Sequence, residues 1–328
     1  MEGINIKIFT KSKDLPEMTC KNFFHSKELF SIIENTPRLT PYMVVAYDSS
    51  MHVLAHLLAH LCNRSSLFPL YFYVHGRVYG IGDYEKGIEN QDKEEIFGMM
   101  LNQLTRRFRR HLCLYVEFSD ITPKMFGYRF FRNNEYFPVP WQEIHNSLYN
   151  KAPKERLTEK QLRRIEKLEH LGVQSKSITT EEEFKHFYKL LHSFYQVKFS
   201  RFIPPREQFI QLWKSYKAHL LVTTYKNKII GGCVLAFSEQ DAYLWYLASQ
   251  KKRYAWLHPN TIMVWNAIKY AYEHHYNHID FIDIGAPSHS NRRRKFYLSF
   301  GGKPISKYRW FRISIPWINN LCSWWYRE

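Results

Sequence analysis

Two carboxylates and a run of cations fall within one stretch, residues 279–302, read IDFIDIGAPSHSNRRRKFYLSFGG. Asp280 and Asp283 stand at the end of an apolar run of strand type. A carboxylate there can take the proton that an attacking amine must lose. Residues three apart on a strand point to opposite faces, so the two are read as separate groups. Asp283, next to Gly285, is read as the site residue, with Asp280 as its alternate. The other reading of Asp283 is a turn cap through its own backbone. Arg292, Arg293, Arg294 and Lys295 can hold phosphates. The alternative is a solvated basic loop. Lys251, Lys252 and Arg253 offer a second cationic wall.

A further anion site is read at Arg77-x-x-Gly80-x-Gly82. Glycines let a backbone approach a diphosphate, and successive N–H groups make an anion nest. The competing reading is a tight turn beside a solvated arginine. His52, His56 and His60 recur every fourth residue, but no Cys cluster or HExxH pattern accompanies them, and no metal is expected. His274, His275 and His278 read as a helix C-terminus, where imidazolium meets the dipole favourably.

These groups need elements to hold them. Tyr42–Tyr47 and Leu67–Val74 read as strands, and a helix is expected from Lys93 to Arg110, with Phe97, Met100, Leu101, Leu104 and Phe108 at helical spacing. Leu112–Phe118 is the next strand. A charged helix, Leu157–Leu171, follows as a linker. Thr180 and Glu183 form a capping box that opens a helix through Tyr195. Leu220–Phe237 reads as strand, turn, strand, and Ala242–Ala248 as a third strand, together an antiparallel meander. Ser249–His258 is a loop before a helix from Thr261 to His275, and the acidic strand comes next.

At 328 residues the chain has room for two domains, and its 47 Lys and Arg against 30 Asp and Glu give a formal charge of +17. Such a charge favours a polyanionic partner, whether nucleic acid, an anionic membrane face or a phosphate-rich cofactor; the other reading is a well-solvated basic surface. The five scattered cysteines make neither a disulfide framework nor a zinc site and imply a reducing compartment. No signal peptide or membrane-spanning run is read, and a cytoplasmic location is expected, free or peripheral at the inner membrane face. The segment from Pro316, with Trp317, Leu321, Trp324 and Trp325, reads as a short helix that either docks on the second domain or lies in a membrane interface.

The two halves follow one script of strands, loop, helix and a strand ending in acid-Phe-x-Asp: Glu117-Phe118-Ser119-Asp120, then Asp280-Phe281-Ile282-Asp283. The pattern resembles the GNAT acyltransferase fold. Doubled, it resembles the FemABX peptidoglycan-bridge aminoacyltransferases and their BioF2-like acetyltransferase relatives. The resemblance covers roughly residues 155–305, through EEFKHFYKLL, the IIGG strand, HPNTIMVWNAIKYA, DIG and FGG, and is thinner over 1–150. It implies an α/β (α+β) chain of two tandem GNAT-like domains, 1–150 and 151–328. Each would be a mostly antiparallel mixed sheet flanked by helices, with a linker helix at about 155–171. It also implies acyl transfer to an amine acceptor, such as a cell-wall peptidoglycan precursor. The donor would be an acyl-CoA thioester or aminoacyl-tRNA.

In that reading Tyr243, Tyr246 and Tyr297 are candidates for proton relay to the leaving group, and the backbone of Tyr243–Ala248 serves the oxyanion. Tyr297 stands where Fem-like chains carry Lys. Ser249–Tyr254 stands where a glycine-rich loop would lie. The rival from another class is a non-catalytic protein that binds nucleic acid or anionic membrane on the same fold.

Overall fold

The computed structural model describes residues 3–67, 70–121, 125–149, 151–196, 203–288 and 290–326, without the side chains of residues 66, 67, 70, 71, 120, 121, 196 and 283. In chain order the elements are β1 (Asn5–Phe9), α1 (Lys27–Glu34), β2 (Leu39–Tyr47), β3 (Val53–Leu67), β4 (Leu70–Tyr79), β5 (Asp83–Tyr84), α2 (Asn90–Arg110), β6 (Cys113–Ile121) and α3 (Tyr128–Asn133). There follow β7 (Phe137–Ser147), α4 (Glu159–His170), β8 (Gln174–Ser177), α5 (Glu181–Gln196), α6 (Arg206–Lys214), β9 (Ala218–Tyr225), β10 (Lys228–Ser238) and β11 (Asp241–Ser249). The last are α7 (Pro259–Glu273), β12 (His278–Gly285), α8 (Arg292–Leu298), β13 (Lys303–Ile313) and α9 (Pro316–Trp325).

Two compact units result: Met1–Trp141 with Ser306–Glu328, and Gln142–Ile305. The sequence reading placed one boundary at 150/151 and gave residues 306–328 to the second domain. Hydrogen bonding decides otherwise, because β13 pairs antiparallel with β6, from Tyr308↔Ile121 to Ile313↔Tyr115. Within the second unit, β7 pairs antiparallel with β12 from His278↔Ser147 to Phe281↔Ile144.

Each unit therefore runs the same strand order, β1-β2-β3-β4-β6-β13 in the first and β8-β9-β10-β11-β12-β7 in the second. All neighbours are antiparallel except β4 with β6 and β11 with β12. Mixed α/β architecture, a mostly antiparallel sheet and flanking helices hold for both. In the first unit the last strand of the sheet, β13, comes from outside the consecutive run of elements, and in the second it is β7, from the start of the run; short-range pattern shows neither pairing.

The first core packs α2 on the sheet. Ile96, Phe97, Met100, Leu101, Leu104 and Phe108 are all buried at the 3.6-residue spacing of one helix face. In the second unit the expected capping box opens α5: Glu183 N–H donates to Thr180 Oγ1 (3.2 Å), and Thr180 N–H to Glu183 Oε2 (3.4 Å). The helix expected as a linker, α4, buries Ile165 and Leu168 in the second core, so it belongs to that unit. Consecutive glycines on β10 show the two faces of this sheet. A Cβ on Gly231 would meet Met263 of α7 at 3.4 Å, and one on Gly232 would meet Phe187 of α5 at 2.5 Å. The second contact is too close for any side chain, which explains the glycine there.

Candidate active site

The second unit's parallel pair supplies the opening. β11 and β12 are in register only from Asp241↔His278 to Leu244↔Phe281. Past that point β11 continues to Ser249 against β10 alone, as Tyr246↔Val234, Leu247↔Cys233, Ala248↔Gly232 and Ser249↔Gly231. The register slips there, with Leu244 opposite Leu235 but Tyr246 opposite Val234, so Trp245 is the extra residue of a bulge. A bulge bends its strand and ends pairing. It turns β11 away from β12 and leaves backbone N–H and C=O groups facing the gap. The hydroxyl of Tyr195, at the end of α5, reaches this edge: it donates to Leu247 O (3.0 Å) and accepts from Leu247 N–H (3.5 Å).

Cations surround the opening. β11 runs into an exposed turn carrying Lys251, Lys252 and Arg253, which leads to the N-terminus of α7. Across the gap, Asn291 shapes the chain after β12. Its amide donates to Ile284 O (3.0 Å) and Ala286 O (3.2 Å), around Gly285 at φ 104, and its Oδ1 accepts from Arg293 and Arg294 N–H. Arg292 to Lys295 thus fill the first turn of α8, with no acidic residue among them. Positive side chains at a helix N-terminus oppose its dipole, and a bound anion relieves both. A cleft of about 380 Å³, lined by His186, Lys189, Leu190, Ser193, Ile229 and Gln250, opens beside the end of β11. A cavity of about 670 Å³ lies elsewhere, in the first unit. Its wall groups pair with one another, His52 with Glu85 and Asp83 with the Lys21 N–H. The parted strands of the second unit, not that cavity, bring a strand edge and a cationic rim together.

The sequence-chosen residues divide among several places. Asp283 has its backbone in the unpaired part of β12, and its side chain lies outside the described residues. Asp280 lies on the paired part, opposite both Tyr243 and His145. Its Oδ1 is 2.6 Å from His145 Nδ1, and the residue is buried. Asp280 is thus engaged with β7 and is a clamp on that strand, not a free base at the gap. Glu117, its counterpart in the echo, does the same in the first unit, where Arg309 Nη1 of β13 lies 3.0 Å from Glu117 Oε1.

Tyr246 packs edge-on against Phe209 (5.2 Å) and Tyr195 (6.3 Å) and is buried. Tyr297 stacks on Phe281 at 4.7 Å, on the α7 side of the sheet. Tyr243 is half-buried on the paired segment. The three tyrosines are therefore not one relay. Of the Tyr243–Ala248 backbone expected at the oxyanion, Tyr243 and Leu244 pair with β12, and Leu247 N–H and C=O both meet the Tyr195 hydroxyl at the gap.

The Arg77-x-x-Gly80-x-Gly82 reading is corrected. Arg77 is a strand residue of β4, its guanidinium buried 3.4 Å from Glu117 and 5.0 Å from the Tyr79 ring. Gly80 N–H donates to Ser119 O (2.7 Å), and Gly82 N–H to His25 Nε2 (3.1 Å). Neither glycine N–H is left for a diphosphate. Their positive φ, 77° and 103°, makes them turn formers. Among the described residues no group of three or more His, Cys, Asp and Glu is placed to hold a metal.

Sequence reasoning missed Tyr195 and the Trp245 bulge. Tyr195 continues the apolar face Phe184, Phe187, Leu191 of its capped helix, and so reads as core. It also missed the two acid–imidazole pairs, His145 with Asp280 and His278 with Asp241 (2.8 Å), whose rings lie 4.2 Å apart.

Comparison with known proteins agrees with this geometry. Residues 156–288 match the family described as the GNAT acetyltransferase domain. A search of curated proteins by sequence finds no match. Among solved structures, a tandem GNAT protein from the clavulanic acid biosynthesis pathway matches with TM-score 0.59 at 10% identity, over 94% of this chain and 98% of that one. FemX matches with TM-score 0.57 at 10% identity, over 89% and 97%. The C-terminal domain of a putative lysylphosphatidylglycerol synthetase from Agrobacterium fabrum matches with TM-score 0.58 at 9% identity, over 92% and 91%. At such identity these structures speak for the fold. The match over 156–288 falls within the second unit and spans the β11–β12 opening; the second unit is similar to the GNAT acetyltransferase domain and the chain has a GNAT-like fold, which together support an acyltransferase.

Proposed function

We propose that the second unit moves an acyl or aminoacyl group from a phosphate-bearing carrier to an amine. The observation behind this is the gap between β11 and β12, flanked by Lys251–Arg253 and Arg292–Lys295. The donor lies along the edge of β11 beyond Leu244, where its carbonyl oxygen displaces the Tyr195 hydroxyl from the Leu247 N–H and that N–H stabilises the oxyanion of the tetrahedral intermediate. The cations take the phosphates of the carrier. Asp283 accepts the proton that the amine loses on attack.

The carrier is either coenzyme A or tRNA. A GNAT domain and the N-myristoyltransferase with bound MyristoylCoA that shares the fold (TM-score 0.50, 12% identity) favour a CoA thioester. The formal charge of +17, and the cationic turn where a glycine loop would cradle a pyrophosphate, favour tRNA. The likeness to FemX supports an amine on a peptidoglycan precursor as acceptor.

Binding of acetyl-CoA and of aminoacyl-tRNA, each across a salt series, decides between carriers. Saturable CoA binding lost on Arg293→Glu with Arg294→Glu supports the thioester. Binding of aminoacyl-tRNA over deacylated tRNA supports the other carrier, because charge attraction alone does not distinguish the two tRNAs. The second reading is a binder without turnover, favoured by the engagement of Asp280 with His145. Asp283→Ala separates them: an enzyme loses turnover and keeps donor binding, whereas no turnover by the wild type with either donor sinks the enzymatic reading.

A further inference from the structure

α9 is mounted with its apolar face outward. Trp317, Leu321, Trp324 and Trp325 are 68%, 54%, 62% and 73% exposed. Their spacing of four, seven and eight residues places them on one helical face. The opposite face is polar and tied to the first unit. Asn319 Nδ2 donates to Glu135 O (2.9 Å) and its Oδ1 accepts from Ile313 N–H (2.8 Å), while Arg132 Nη1 donates to Ser323 Oγ (3.2 Å). A surface helix ordinarily buries its apolar side, so this arrangement calls for something to cover it.

The surroundings fix the chemistry of that cover. Glu135, whose carbonyl holds α9, also pairs through its carboxylate with Arg109 (2.8 Å) and Arg312 (3.0 Å). The last turn of α2 therefore ends beside α9. Arg110 on that turn and Arg106, one turn before it, are exposed. Leu112, just beyond, is 87% exposed, and the start of α9 is bound there, with Ser314 N–H donating to Leu114 O at 2.8 Å. Large indoles beside cations, with an isolated exposed leucine, match a bilayer interface. Trp sits at headgroup level, apolar side chains enter the acyl boundary, and arginines meet anionic headgroups. A helix of 10 residues cannot cross a bilayer, and none of the described helices is long and apolar enough to do so.

We propose that α9, with Leu112, Arg106 and Arg110, docks this chain on the surface of an anionic phospholipid bilayer. This rests on the first unit and is independent of the donor assignment. The test is co-sedimentation of the full chain with vesicles of phosphatidylglycerol and phosphatidylcholine, against vesicles of phosphatidylcholine alone. Wild type pellets with the anionic vesicles, less so as salt rises, and its tryptophan emission shifts to the blue. Trp324→Ser with Trp325→Ser removes the blue shift and most of the pelleting. Arg106→Glu with Arg110→Glu weakens vesicle binding by roughly tenfold or more, at about one kcal/mol per cation near the surface. Circular dichroism and melting temperature show that each variant is folded. If wild type stays in the supernatant with anionic vesicles at low salt, or if folded variants pellet as wild type does, the proposal fails. It fails equally if sedimentation shows a dimer that the tryptophan variants dissociate, since a second copy then covers the face.

Discussion

The two units share a plan and differ at one place. Both run the same strand order, and in both an acid on the strand after the long helix grips the strand that completes the sheet: Glu117 to Arg309 in the first, Asp280 to His145 in the second. In the first, β4 and β6 pair through Tyr79↔Ser119, and the next two glycine N–H groups are spent internally. In the second, the bulge at Trp245 ends the pairing at Leu244↔Phe281 while β11 runs on. One inserted residue thus separates a strand pair that runs on together from one that parts, where the edge of β11 meets the Tyr195 hydroxyl in place of a strand. The repeated framework is a matter of stability, and the slip within it is where chemistry becomes available.

The sharpest way to break this comparison is Glu117→Ala. It removes the Glu117 carboxylate from the buried Arg77 and Arg309 and lowers stability by up to about 3–5 kcal/mol, read by urea unfolding. Donor affinity of the folded fraction stays at the wild-type value.

Acid should next distinguish the units. Burial lowers His25, His60 and His75, all in the first unit, to about 3 from 6.5, while in the second unit it lowers His219 to about 4. A histidine held neutral in the fold takes its proton on unfolding, so the stability it contributes is present above pH 6.5. It is lost as pH falls from about 6.5 toward 3, by about 1.4 kcal/mol per pH unit for each such group. Hydrogen exchange between pH 7 and 4.5 should show the first unit's core opening before the second's. Equal loss in both would remove the asymmetry.

Arg293→Glu with Arg294→Glu should weaken donor binding about tenfold or more, since charge-assisted contacts each contribute about 1.5–3 kcal/mol. It should change melting little, because Arg293 is exposed and Arg294 only half-buried. The smallest effect belongs to Tyr195→Phe. Loss of one hydroxyl contact to the Leu247 backbone costs about 0.5–1.5 kcal/mol of stability. Donor binding is the more telling readout, for a changed affinity places that hydroxyl at the ligand and an unchanged one leaves it structural.

Much of this was legible in the residues because it is local. The Thr180–Glu183 capping box, the α2 periodicity and the β9–β10–β11 meander depend on neighbours in sequence and form as read. The repeat of acid-Phe-x-Asp marked equivalent strands correctly, though the job of its first acid is to grip a distant strand. Pairing of β6 with β13 joins residues almost two hundred positions apart, and no pattern of period two or 3.6 encodes a partner. The bulge hides in AYLWYLA because a run buried on both faces shows no alternation to slip. Arg77-x-x-Gly80-x-Gly82 misled because spacing does not report that the arginine still belongs to the strand.

The placement of β13 also bears on how the chain comes into being. Synthesis delivers β6 long before its partner, so the nascent first unit carries a bare strand edge until Ser306 and the residues after it have been made. The second unit's run, Gln142–Ile305, is complete by then. The half made first is thus the half that closes last.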